Sequence, residues 1–151
     1  MAELQRGGFI ADCEAEIDGG GVYEIIGSRC RAKVIVDPSR WFGLEFVLLD
    51  AAGRLCLAYY IDTDLYDISK AQNQEFAADI EEEIAEFLEA LAAERICIGK
   101  VRGKLAMIVP SGGEFLRVER GPVFSSVKHY SHLSAAQSGG KFEPLTNQRP
   151  E

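Results

Sequence analysis

Apolar and polar residues along this chain mostly alternate with the two-residue period of strands, except in one stretch where the period lengthens to that of a helix. Over residues 69–93, Phe76, Ile80, Ile84, Phe87, Leu88 and Leu91 recur largely at spacings of three and four. At about 100° per residue they cover an arc of about 120°, the apolar stripe of an amphipathic helix. Ser69-Lys70-Ala71-Gln72 opens the stretch as a capping box, in which serine oxygen and glutamine side chain satisfy first-turn amides.

Strands are expected on both sides of this helix. Before it they fall at 8–12, 22–26, 30–36, 44–49 and 54–61, where β-branched and aromatic residues gather. In the third, Ala32, Val34 and Val36 alternate with Arg31, Lys33 and Ile35, as on a half-buried strand. Asp50-Ala51-Ala52-Gly53 is a hairpin signal: Asp opens a type I turn and Gly takes the left-handed position after it. Both arms of that hairpin are apolar on both faces, which predicts a central place in the sheet. After the helix, 96–101 and 104–109 are joined by Arg102-Gly103, and strands at 114–120 and 123–130 follow. Lys100, Arg102 and Lys104 gather at the tip of the first of these hairpins.

The pattern predicts an α+β fold: a curved, mainly antiparallel sheet of about nine strands packed on one long helix, in the order five strands, helix, four strands. Residues 1–132 form a single domain in this reading, and the polar residues 133–151 a loose C-terminal tail. A length of 151 residues suits one core, and no βαβ alternation points to a dinucleotide fold.

Charge narrows the choice of partners. Twenty-four acids against sixteen bases leave a net charge of −8, which repels phosphate backbones and argues against nucleic acid. No apolar leader opens the chain and no apolar run reaches membrane length, so a cytoplasmic protein without a membrane partner is expected. The four cysteines, Cys13, Cys30, Cys56 and Cys97, contain no C-x-x-C pair. Cys56 and Cys97, within apolar runs, read as buried hydrophobes; Cys13 and Cys30 read as less buried, with a bridge between them left open.

Chemical signatures are sparse. The loop Asp62-Thr63-Asp64-Leu65-Tyr66-Asp67 lacks the central Gly and terminal Glu of a calcium loop and reads as solvated and capping carboxylates. His129 and His132 would share a metal on a helix but point apart on a strand. Ser125 and Ser126 sit in no nucleophile elbow, and the glycine pairs form no phosphate loop. No cofactor or metal is expected, and the reading tilts away from an enzyme.

What stands out is the polar face of the helix. Glu75, Asp79, Glu82, Glu83, Glu86 and Glu89 lie opposite the apolar stripe, with only Lys70 and Arg95 flanking them. Like charges four residues apart each cost a few tenths of a kcal/mol, so this face tolerates repulsion that a mixed surface would avoid. Trp41 and Phe42, after the turn Pro38-Ser39-Arg40, are residue types enriched at interface hot spots; the alternative is that Trp41 starts the next strand and packs in the core. The favoured function is an acidic protein-binding domain, an inhibitor or immunity-type protein neutralising a basic partner such as a toxin. Its surface would comprise the six helix acids with Trp41 and Phe42. Two alternatives stand beside it. One is a small-molecule binder or enzyme with a sheet pocket lined by Tyr23, Tyr59, Tyr60 and Tyr66; the other is an assembly subunit forming homo-oligomers.

Overall fold

The computed structural model describes residues 10–15, 20–37, 41–63, 66–123 and 125–146. The turn at 38–40, Asp64 and Leu65 of the acidic loop, the Gly7-Gly8 pair and residues 147–151 lie outside them. So does the side chain of Cys13, and with it the question of a bridge to Cys30.

Five strands form an antiparallel meander in sequence order: β1 (Ile10–Ala15), β2 (Gly21–Ile26), β3 (Cys30–Asp37), β4 (Trp41–Leu49) and β5 (Leu55–Asp62). The helix α1 (Gln74–Ala92) follows. A second meander then runs through β6 (Cys97–Val101), β7 (Lys104–Ser111), β8 (Glu114–Glu119) and β9 (Ser126–Tyr130). After a single helical turn, α2 (Leu133–Ala136), β10 (Gly140–Pro144) returns to pair with β6. The α+β class is as the pattern predicts, but the strands close as two five-stranded sheets, A and B, rather than one curved sheet. No ladder joins a strand before the helix to one after it, and the helix packs against β4 and β5 of the first sheet and β7 of the second.

One hydrophobic cluster joins the helix and both sheets and includes Ile25 and Phe46 of sheet A, Ile84, Phe87 and Leu91 of α1, and Met107 and Val118 of sheet B. Phe87 is its centre: its ring meets Phe46 edge-on at 4.9 Å between centroids, and Tyr59 at 5.7 Å. Ile80, Ile84, Phe87 and Leu91 are buried and Phe76 and Leu88 half-buried, the stripe read from the sequence. Among the described residues no helix is long and apolar enough to cross a membrane.

The helix begins later than its capping box implies. The Ser69 hydroxyl donates to Asp67 Oδ1 at 2.6 Å instead of accepting from a helix amide, and a 3₁₀ turn, Ala71–Asn73, intervenes. Asn73 then anchors the entry by donating from Nδ2 to the Asp67 carbonyl at 2.9 Å. Asp67 Oδ1 accepts from both the Ser69 amide and its hydroxyl, and this local turn holds the serine side chain away from the helix amides it would have capped.

Two expectations about the sheets need correction. The turn at Asp50 forms as read, with Asp50 Oδ1 accepting from the Ala52 and Arg54 amides at 2.9 Å each and Gly53 at φ 77°. Its hairpin is not central, however, because β5 is the edge of sheet A. Its second apolar face is partly exposed: Leu55 is 57% and Tyr60 58% accessible. The second correction concerns the tail. Gly140–Pro144 is a strand, and Leu145 is buried, its amide donating to the Ile96 carbonyl at 2.7 Å. Gly99 and Gly140 make this pairing possible, since a Cβ on either would strike the opposite backbone at Lys141 or Lys100.

Arg117 fastens the returning segment. It is 6% exposed, and its Nη1 donates to the carbonyls of Ala136 and Ser138 at 3.0 Å each. The Tyr130 ring lies 4.8 Å from the guanidinium carbon. Glu119 Oε1 stands 2.9 Å from Arg117 Nε as an ion pair, though the two atoms are not aligned for a hydrogen bond.

Candidate functional site

The helix acids occupy a continuous outward face. Glu75, Asp79, Glu82, Glu83 and Glu89 are exposed, and Glu81 sits beside them. Among the described residues the only base that meets this set is Arg95, 3.7 Å from Glu89. Partial burial, then the Asp79 and Glu86 carboxylates, raises the Glu83 pKa from its ordinary glutamate value. Burial, with Glu83 second, pushes the Tyr59 hydroxyl up to about 12. Glu86 differs from the rest. It is half-buried, and its Oε2 accepts from the Gly112 amide at 2.8 Å, tying the helix to the β7–β8 turn.

Trp41 and Phe42 do not join that face. Trp41 starts β4, and its indole lies over Gly43, 2.8 Å from where a Cβ would stand. Phe46 meets α1, and side chains alternate along a strand, so Trp41 projects from the opposite side of sheet A. Phe42 points inward and packs against the core. The structure therefore separates the aromatic pair from the carboxylates.

The tyrosines do not form one lining either. Tyr66 packs on Phe76 with centroids 4.9 Å apart, and only Tyr59 and Tyr60 border the same groove. The cysteines exchange places: Cys30 is buried and Cys56 and Cys97 half-buried, all three as free thiols. Burial carries the Cys30 thiol up to about 12. His129 is exposed on β9, 3.9 Å from Glu114 Oε2, and His132 precedes α2 in extended backbone. Among the described residues, no group of three or more His, Cys, Asp or Glu side chains converges as a metal ligand set.

The fold assembles a second charged region that sequence spacing does not announce. Arg29 from the β2–β3 turn, Lys100 from β6, Lys104 from β7 and Arg120 beyond β8 line one groove of about 730 Å³. Its apolar walls are Leu49, Cys56 and Leu105, and Asp50 is the acid at its rim. That carboxylate is engaged by Arg54, whose Nε donates to Oδ2 at 2.9 Å. The groove continues past Arg29 and Lys100 to Lys141, Phe142 and Glu143 of β10. Lys100 and Lys141 are direct cross-strand neighbours, a like-charge pairing that costs stability. Among the described residues none of the five cations makes an ion pair. Sequence spacing announces only the Lys100–Lys104 hairpin tip, because the other three come from distant parts of the chain.

Set against protein-family models, curated proteins and solved structures, the chain matches none.

Proposed function

We propose that this chain is an acidic, non-enzymatic protein-binding domain of the inhibitor or immunity type, which neutralises a basic protein partner through the outward face of α1. One observation carries the reading: Glu75, Asp79, Glu82 and Glu83 stand exposed on a helix locked to the core, with no ion pair among the described residues. Fixed charges of one sign on a rigid element steer a cationic partner and set its orientation, and at an interface they gain most where the partner supplies the missing bases. The half-buried Trp41 is left out of this surface, since it lies across sheet A from the helix.

The test is capture of partners from the native host on the immobilised chain, elution with rising salt, and titration of the dominant basic protein against a variant. That variant replaces Glu75, Asp79, Glu82, Glu83 and Glu89 by the matching amides, and keeps Glu86 for its bond to Gly112. Binding should weaken by about a hundredfold and lose most of its salt dependence. Equal affinity for both proteins would remove the helix face from the interface.

A further inference from the structure

Strand β5 is an open edge guarded only at its ends, by a register shift with β4 opposite Cys56 and by Asp62 as its last residue. Between those two points, Leu57 to Ile61 carries no charge and no proline, two of the devices that blunt natural edges. The other open edge next to it, β9, carries Lys128 and His129. Among the described residues, no main-chain hydrogen bond joins Leu55–Tyr60 to anything but β4.

The space beside that edge is shaped. A groove of about 600 Å³ is lined by all six consecutive residues from Leu55 to Tyr60. From Leu57 to Tyr60, past the register shift with β4, side chains alternate between faces, so a groove that touches each of these residues in turn follows the backbone edge itself. Its far wall comes from Val118, the Arg120–Val123 segment and Val127. Seven large hydrophobic residues are exposed among those described, and four of them, Leu55, Tyr60, Val123 and Val127, line this one groove. At the Cys56 end it runs into the cationic groove, with which it shares Cys56, Arg120, Gly121 and Pro122.

We propose that β5 is a docking edge for an extended polypeptide segment, apolar in its alternating half and acidic at its end. The segment adds as a sixth strand to sheet A. Its main chain satisfies the unpaired amides and carbonyls of β5, and its apolar side chains cover Tyr60 and Val127. Antiparallel pairing, the commoner arrangement, brings its C-terminal end to the start of β5. There Arg29, Lys100, Lys104 and Arg120 meet its carboxylates. Charge complementarity selects this occupant, because the groove concentrates unpaired cations in a protein of net charge −8. The inference is independent of the acidic helix face and gives the molecule a second, oppositely charged contact.

The probe is a ten-residue synthetic peptide of alternating valine and threonine closed by three aspartates, titrated into the full chain by fluorescence anisotropy. Binding is expected in the range of about 1–100 μM, with slowed amide exchange along residues 55–61. Methylating the peptide amides that face β5 should weaken it at least about tenfold, since those donors are what strand addition uses. Arg29→Glu with Arg120→Glu, both exposed positions checked by circular dichroism, should do the same, while the helix amide variant binds as the parent does. Equal binding of the methylated peptide would reduce the site to simple anion attraction and overturn strand addition. Silence up to about millimolar peptide would overturn it too, as would a chain that already self-associates through β5 and doubles its mass.

Discussion

The acidic face of α1 and the cationic groove are opposite in sign and also in origin. The acids come from a single helix, fifteen residues from Glu75 to Glu89, and their arrangement follows from helical geometry alone. The cations come from Arg29, Lys100, Lys104, Arg120 and Lys141, each on a different turn or strand, and meet only because two sheets share one core. The difference teaches that a net charge of −8 describes neither region. Local density of charge is set by the element in one case and by topology in the other.

The most severe way to break the comparison is to remove what both regions stand on. Phe87→Ala empties the contact with Phe46 and Tyr59 and should cost about 3–5 kcal/mol in urea-induced unfolding. Because one cluster joins helix and both sheets, probes in either region should report the same midpoint. Two separated midpoints would show that the regions rest on different cores.

Arg117→Ala sharpens the contrast by acting on one side of it. Losing the charged bonds to Ala136 and Ser138 leaves those carbonyls without their donor and should cost about 2–3 kcal/mol. Hydrogen exchange should quicken at residues 140–145, where Lys141 borders the groove, and stay unchanged along α1. Faster exchange along α1 as well would deny that the two are separable.

The smallest effect belongs to the helix alone. The pKa of Glu83 is raised in the folded chain, so its ionisation opposes folding, and its favourable contribution is lost as pH rises through that raised value. Glu83→Gln should therefore stabilise by a few tenths of a kcal/mol at neutral pH. The gain should vanish below the ordinary glutamate range, where both states hold the proton, and paired thermal melts across acid and neutral pH measure it. A gain that persists in acid would have another cause.

What could be read in advance divides along the same line. The helix stripe and the Asp50 and Arg102-Gly103 turns are properties of short windows, and each stands where its residues imply; Arg102 and Gly103 take the φ values of 53° and 77° that a primed turn needs. The capping box is also local, but a competing carboxylate two residues upstream took its serine. Whether β5 is central or an edge was not in its residues. An apolar second face fits a buried strand and an unoccupied docking edge equally well. The last strand leaves no periodic signal, because Phe142 and Leu145 are lone anchors among polar neighbours, too few to set a period. Arg29, Arg120 and Lys141 look like scattered surface bases until the sheets place them together.

The return of β10 to β6 also sets an order of events during synthesis. Sheet A is complete once Asp62 has been made, all its pairings being between neighbours in sequence. Sheet B has to wait, because Val101 is paired by Gly140. At about 5–20 residues per second, β6 passes several seconds on the ribosome as a bare edge. A chain halted in that interval would carry two adhesive strands, β5 by design and β6 by interruption, and would be the form of this protein most prone to aggregate.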